Sequence, residues 1–125
     1  MVLVDPPFEA KDEFDRLATG FTQAFGKWPT GIYVLWYPAK SRRLTEALVN
    51  HVTEAAGGAK PPASALRLEF SVAPQVAGAA LASTGLLIVN PPWKLQGELK
   101  VALTELQRPL GRSGAARFKL EAPKA

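Results

Sequence analysis

Residues 31–38 read GIYVLWYP, a continuous apolar run rich in β-branched and aromatic side chains. A strand that is apolar on both faces is typical of a parallel sheet that is covered by other elements on both sides. Pro38 ends the run, because proline has no backbone N–H to donate to a neighbouring strand. The stretch therefore predicts a buried strand of an α/β sheet.

Helical patterns lie on both sides of this strand. Before it, five apolar residues recur at helical spacing, while charged residues occupy the rest of the helix; they are Phe14, Leu17, Ala18, Phe21 and Phe25. After it, Ser41 is placed to cap a second helix, which Gly57 and Gly58 end. His51 falls on the apolar side of that helix, so we expect a partly buried, hydrogen-bonded imidazole.

Five more elements follow from the pattern further out. The apolar Val2–Val4 predicts a short buried strand, and residues 66–72 alternate in the way of a strand with one wet face at a sheet edge. GLLIVN at 85–90 is wholly apolar and predicts an internal strand. A last helix should end at Pro109, and the tail RFKLE at 117–121 is placed to add a short strand.

The composition limits what the protein can be. A chain of 125 residues forms one domain, and the absence of cysteine excludes a disulfide framework, a thiol nucleophile and a Cys-ligated metal. With a single histidine, we expect no metal site. No apolar run is long enough to span a bilayer and no signal peptide is present, which favours the cytoplasm. The net charge of +4 leans weakly towards anionic partners such as RNA.

Two similar tetrapeptides each follow an apolar run: Asp5-Pro6-Pro7-Phe8 and Asn90-Pro91-Pro92-Trp93. Asp/Asn-Pro-Pro-aromatic after a strand resembles the catalytic motif of S-adenosylmethionine-dependent methyltransferases that act on exocyclic amines, above all adenine N6. The alternative is that the two prolines only end a strand and that Phe8 packs in the core.

The resemblance assigns a role to each residue of the first tetrapeptide. The carboxylate of Asp5 and the carbonyl of Pro6 would accept the N–H groups of the adenine amine, whose lone pair is delocalised into the ring. The prolines, Pro6 and Pro7, fix their own φ angles and so hold that carbonyl in place. Phe8 would stack on the extruded base.

Three segments in order, VLVDPPFE, TGIYVLWYP and GLLIVNPPW, resemble the RlmJ family of bacterial 23S ribosomal RNA adenine-N6 methyltransferases. This resemblance implies an α/β fold, the C-terminal half of a class I (Rossmann-like) methyltransferase, with a mixed sheet of strand order 4-5-7-6 and flanking helices. VLVD would be the fourth strand, IYVLWY the fifth, LRLEFSV the sixth and LLIVN the seventh.

The same mapping separates the two tetrapeptides. Ligands of open α/β sheets bind at the carboxyl ends of the parallel strands, where Asp5 would lie. Asn90 ends an antiparallel strand and should emerge on the opposite rim, so we interpret it as structural. Asn90 or a neighbour would cap the last helix, and Trp93 would pack against that helix.

Three basic residues follow the second strand on the rim expected for Asp5. Lys40, Arg42 and Arg43 are candidates to contact RNA phosphates, and the alternative is an ordinary solvated helix start. Tyr37, at the end of that strand, is a candidate to line the site. The loop at 75–84 reaches the same rim in this mapping, either bordering the base pocket or simply joining two strands.

One half of a methyltransferase is not evident in the chain. Family members hold S-adenosylmethionine mainly with their first three strands and a glycine-rich turn, whereas Gly57 and Gly58 follow a helix. We therefore expect residues 1–125 to be a single partial methyltransferase domain, the target-base half without the cofactor-binding N-terminal half. The full-length enzyme would use S-adenosylmethionine, and this chain alone would be inactive.

An unpaired apolar strand recruits another strand, so residues 2–5 should pair with the missing half or with a second copy in a homodimer. Ribosomal RNA is the expected substrate, and no membrane partner is expected. The alternative function is a non-enzymatic relic or partner-binding module that keeps the half-sheet for structural reasons.

Overall fold

The computed structural model describes residues 1–4, 12–72, 83–110 and 117–122, with the backbone alone for 107–110. Within these residues the chain forms five strands and three helices. In chain order they are β1 (Val2–Val4), α1 (Glu13–Lys27), β2 (Tyr33–Pro38), α2 (Arg42–Gly57), β3 (Ala65–Ser71), β4 (Ser83–Val89), α3 (Leu95–Leu110) and β5 (Arg117–Glu121).

The five strands form one mixed sheet in the order β1-β2-β4-β3-β5. β1 runs parallel to β2, and β4 lies antiparallel to both β2 and β3. The first four positions are the order 4-5-7-6 predicted from the resemblance, which is confirmed. The wholly apolar β4 is internal, as its sequence predicts.

The prediction that the alternating strand β3 forms the sheet edge is wrong. β5 pairs antiparallel with β3 from Arg67↔Glu121 to Ser71↔Arg117 and takes the edge position. The polar face of β3 is not wet either, since the Arg67 side chain is only 4% exposed. That face lies under α2, where Arg67 forms ion pairs with Glu46 and Glu69 and is shielded from water.

Helices α1 and α2 cover one face of the sheet. The predicted stripe of α1 is confirmed, with Leu17, Phe21 and Phe25 buried against the sheet. Phe21 and Phe25 stack on each other with ring centroids 5.3 Å apart, and each meets the ring of Tyr33 edge-on. Aromatic pairs at such distances add to the free energy of burial. The same core also contains Leu35, Tyr37, Leu48, Val49, Val52, Ala56, Leu87 and Val89.

Helix α3 packs on the other face of the sheet. Residues that are opposite each other in a sheet share a face, so Phe118 and Leu120 of β5 lie on the same side as Phe70 and Leu68. α3 borders Phe118 and Leu120, and its Leu103 is buried. The predicted apolar side of α3 is buried only in part: Leu95 and Leu99 are half-buried, Ala102 and Leu106 are exposed, and the helix continues past Pro109 to Leu110.

Candidate functional site

The carboxyl ends of β1 and β2 lie on the same rim of the sheet. Val2, Leu3 and Val4 pair in parallel with Tyr33, Val34 and Leu35. The chain therefore leaves β1 at Val4 on the rim that β2 reaches at Pro38. The motif residues Asp5, Pro6, Pro7 and Phe8 and the loop at 75–82 lie outside the described residues.

The turn from β2 into α2 brings three basic side chains to this rim. The Ala39 amide donates to the Ser83 carbonyl at 3.0 Å, which fixes the start of the turn on β4. Ser41 caps the helix as predicted, since its hydroxyl accepts from the Leu44 amide at 3.3 Å. Lys40, Arg42 and Arg43 are exposed on either side of this cap.

The three cations differ in their electrostatic partners. Arg42 Nη1 lies 3.8 Å from Glu46 Oε1, a weak pair in which the Arg42 side chain is 85% exposed. Lys40 and Arg43 make no ion pair with any other described residue. The rim therefore presents positive charge to solvent, as a surface for a phosphate backbone requires.

A pocket of about 160 Å³ opens between this turn and β3. It contains three cationic side chains, two carboxylates and one buried threonine hydroxyl; its lining residues are Ala39, Lys40, Arg42, Thr45, Glu46, Arg67 and Glu69. Lys40 and Arg42 thus belong to one concave site with residues of β3, whereas Arg43 does not line it.

The floor of the pocket is an ion network centred on Arg67. Its guanidinium holds both oxygens of Glu46, at 2.6 and 3.2 Å, and Oε2 of Glu69 at 2.7 Å. Burial by itself lowers the pKa of Arg67, but the hydrogen bonds to Glu46 and Glu69 outweigh burial and raise it. The hydrogen bond from Arg67 holds the pKa of Glu46 below its usual range. Arg67 and Glu46 therefore form a charged pair at neutral pH.

Tyr37, a predicted candidate to line the site, does not line the pocket but donates a hydrogen bond to Glu69 of the network. Its hydroxyl donates to Glu69 Oε2 at 2.7 Å, and the residue is fully buried. Burial, followed by the bond to Glu69, raises the pKa of Tyr37. Its ring lies over Gly85 of β4, where a Cβ atom would overlap with the ring.

Glu46, Arg67 and Glu69 are not among the site residues predicted from the sequence. Arg67 and Glu69 are two residues apart on one strand and so share a face, which is a signal for an ion pair. Nothing local indicated that α2 covers that face and supplies Glu46.

Asn90 lies on the opposite rim, as predicted, because Val89 pairs with Tyr33 at the start of β2. It adopts a left-handed φ of 58°, and its amide donates to the carbonyls of Pro29 and Gly31 at 2.9 Å each. Its role is structural, and its side-chain amide holds the loop before β2; a cap of α3 by a neighbouring residue stays a prediction. Trp93 is 87% exposed and therefore does not pack as predicted; the ammonium of Lys94 lies 4.9 Å from its ring centroid.

His51 is hydrogen-bonded as expected, but it is exposed and not partly buried. Its Nε2 lies 2.7 Å from the hydroxyl of Thr22 on α1. Because this contact joins the two helices of one layer, it favours a structural role for the imidazole.

The free edge of the sheet is apolar. Leu3 is 67% exposed, and a groove of about 210 Å³ runs between β1 and α1. Its lining is largely apolar and includes Val2, Val4, Leu17, Phe21 and Leu35. An edge of this kind is suited to pairing with another strand.

The described residues do not fit S-adenosylmethionine. Its usual cradle is a glycine-rich turn between a strand and a helix, and the two described turns of that kind, residues 39–41 and 90–94, contain no glycine. Gly85 offers no cradle either, because the Tyr37 ring fills the space beside it. In the described part of the chain, no helix has the length and apolarity needed to cross a membrane.

Comparison with known proteins shows the family. The family model described as Ribosomal RNA large subunit methyltransferase D, RlmJ, matches residues 1–121. The chain belongs to the RlmJ family. Two curated members are similar to it, both called Ribosomal RNA large subunit methyltransferase J. The one from Escherichia coli K12 is 32% identical over 114 residues, and the one from Haemophilus influenzae Rd is 31% identical over 121 residues.

The matches cover most of this chain but less than half of each relative. They include 91% and 97% of this chain but 39% and 41% of the E. coli and H. influenzae proteins. The crystal structure of protein LPL1258 from Legionella pneumophila superposes with a TM-score of 0.83 at 26% identity, covering 96% of this chain and 42% of that protein. The chain thus corresponds to about two fifths of its RlmJ relatives, and its fold is that of the matching part.

Proposed function

We propose that this chain is the target-base half of an adenine-N6 ribosomal RNA methyltransferase of the RlmJ type. The observation that carries the proposal is the parallel pairing of β1 with β2. This pairing brings the carboxyl end of β1, at Val4, to the same rim as Lys40, Arg42 and Arg43, and the Asp-Pro-Pro-Phe motif follows Val4 in the sequence. The match to the family over residues 1–121 supports methylation of ribosomal RNA as the reaction.

Each proposed site residue has one task. Asp5 and the carbonyl of Pro6 accept hydrogen bonds from the exocyclic amine of adenine, while Pro7 helps to hold the motif rigid and Phe8 stacks on the base. Lys40, Arg42 and Arg43 hold phosphates of the RNA strand. These residues orient the amine and bind the RNA without supplying a methyl group.

The family implies S-adenosylmethionine as the methyl donor, but the described residues do not form its usual cradle. We therefore propose that residues 1–125 form one partial domain, that cofactor binding depends on a segment like the unmatched part of the relatives, and that the chain alone is inactive. A ribosomal RNA substrate places this activity in the cytoplasm.

The basic rim is tested by RNA binding. Fluorescence anisotropy would compare the protein with a variant in which Lys40, Arg42 and Arg43 are changed to Gln, using a labelled single-stranded RNA that contains adenosine. The control variant carries Gln at Lys27, Lys60 and Lys94, which are exposed near the opposite rim.

We expect only the rim variant to lose affinity. The log–log slope of its affinity against salt concentration should become shallower by roughly 0.7 for each RNA phosphate that the variant no longer neutralises. Equal weakening in the two variants would contradict the assignment of the rim as the RNA surface.

A second candidate function, a partner-binding module, is favoured by the apolar edge at Leu3 and the groove beside it. We propose that residues 2–5 pair with a strand of the rest of the enzyme or of a second copy. Sedimentation velocity at high micromolar concentration would show a dimer if the chain pairs with itself. A monomer at that concentration would exclude the homodimer, and the proposal would then be pairing with a strand of the rest of the enzyme.

A further inference from the structure

The pocket at the start of α2 contains a buried hydroxyl without a partner. Thr45 is 3% exposed, and its Oγ1 makes no hydrogen bond within the described part of the chain. Thr53, also buried on α2, donates its hydroxyl to the Val49 carbonyl at 2.6 Å. Buried polar groups are nearly always hydrogen-bonded, so an orphan that lines a pocket points to a ligand.

The charges around Thr45 specify the kind of ligand. The pocket is lined by the cations Lys40, Arg42 and Arg67 and by the carboxylates Glu46 and Glu69. Both carboxylates already bind Arg67, through two oxygens of Glu46 and one of Glu69. Lys40, Arg42, whose pair with Glu46 at 3.8 Å is weak, and the positive end of the 16-residue helix α2 remain to attract an anion.

We propose that this pocket binds a phosphate group, with the Thr45 hydroxyl donating to a phosphate oxygen and Lys40 and Arg42 balancing its charge. The inference rests in part on the proposed function, which supplies the phosphate from RNA; free phosphate is the other source of the same chemistry. Arg67 keeps both carboxylates turned towards itself and so is a positioning residue for the pocket.

The place of the pocket indicates which RNA phosphate it holds. Its floor on β3 lies three strand positions from β1, or roughly 14 Å at the usual spacing between strands. The phosphate is therefore that of a nucleotide flanking the target base, held while the base is presented at the end of β1.

The test uses Thr45→Val, which replaces the hydroxyl with a methyl group and so keeps the shape of the side chain. The matched control is Thr53→Val, which removes an engaged hydroxyl of the same helix away from the pocket. Amide NMR spectra of the protein and both variants would be recorded during titration with inorganic phosphate, and thermal unfolding would be measured for each.

We expect saturable shifts at residues 40–46 in the unsubstituted protein and about tenfold weaker binding in Thr45→Val, which corresponds to about 1.4 kcal/mol. Thr45→Val should keep or raise the unfolding temperature, since it removes an orphan polar group. Thr53→Val should unfold at a lower temperature than the unsubstituted protein and bind phosphate with the same affinity. Equal phosphate affinity in Thr45→Val and the unsubstituted protein, or no saturable shift at residues 40–46, would overturn the proposal.

A second arm with single-stranded RNA separates the two sources of phosphate. Weaker RNA binding by Thr45→Val supports a backbone phosphate as the ligand. RNA binding unaffected by Thr45→Val, with phosphate binding impaired, assigns the pocket to free phosphate. If RNA does not bind at all while phosphate binding depends on Thr45, the pocket stands and the proposed RNA function fails.

Discussion

The hydroxyl of Tyr37 reaches across β4 to donate a 2.7 Å hydrogen bond to Glu69 on β3. The intervening residue in the register is Gly85, which pairs with both Tyr37 and Glu69. Because Gly85 has no side chain, the Tyr37 ring can lie over it and reach the carboxylate of Glu69, which lines the pocket at the start of α2.

Gly85→Ala should destabilise the protein strongly, because the added Cβ overlaps with the Tyr37 ring. Overpacking of this kind costs up to about 3 kcal/mol. The control is Gly20→Ala in α1, where the added Cβ meets no atom within 4 Å and should stabilise the helix by roughly 0.5–1 kcal/mol. Urea unfolding measures both changes, and a neutral Gly85→Ala would show that the ring is not held against the sheet.

Arg67→Met should lower the free energy of unfolding by about 3 kcal/mol, because it leaves Glu46 and Glu69 buried in part and without their cation. The control is Arg16→Ala, which removes pairs with Asp12 at 2.9 Å and with Glu13 at 3.5 Å from an Arg16 side chain that is 66% exposed. Exposed pairs contribute below about 1 kcal/mol, so this variant should be nearly neutral in denaturant titration. Equal effects of the two changes would contradict the central position of Arg67 in the network.

Asn90→Asp should destabilise the loop before β2 more than Asn90→Gly does. Glycine accepts the left-handed backbone and loses only the two hydrogen bonds to Pro29 and Gly31, at about 1 kcal/mol each. Aspartate has nearly the same shape but places a carboxylate against those two carbonyls. Thermal unfolding ranks the variants, and the reverse order would mean that the carboxylate introduced at position 90 is not held against the carbonyls of Pro29 and Gly31.

The protein should lose stability in alkali, because burial raises the pKa of Tyr37 above its unfolded value of 10.0. The folded state keeps the proton while the unfolded state loses it, so the contribution of Tyr37 to stability is constant below about pH 10 and falls as the pH rises further. Tyr37→Phe should make this fall shallower without removing it, since burial raises the pKa of Tyr33 as well. Urea midpoints between about pH 8 and 11 would show the difference, and identical slopes would contradict it.

The sheet was largely predictable because its central strands are encoded locally. GIYVLWYP and GLLIVN are apolar without interruption. Such stretches can bury all their side chains only as internal strands of a sheet that is covered on both faces. The apolar stripe of α1, from Phe14 to Phe25, and the Ser41 cap are likewise signals between residues that are close in the sequence. The order of strands came from the resemblance to a family and not from any local pattern.

The pocket was less predictable, since it depends on contacts between distant segments. Alternation in β3 shows that Arg67 faces away from Leu66 and Leu68, but not that α2 and Glu46 cover it. Asn90 and Trp93 show the same limit. The motif around them indicated a turn, while the actual partners of Asn90 lie about 60 residues earlier in the chain.

The most direct test of the proposed function places this chain in a complete enzyme. The matching segment of the E. coli RlmJ would be replaced by residues 1–121, and the purified chimera would be titrated with S-adenosylmethionine by calorimetry to establish that it folds. Mass spectrometry would then measure N6-methyladenosine formed in 23S ribosomal RNA. The chimera should methylate the RNA, and its Asp5→Ala variant should bind the cofactor but leave the adenine unmodified. Unchanged methylation by Asp5→Ala, or a cofactor-binding chimera that never methylates, would contradict the assignment of this chain as the target-base half.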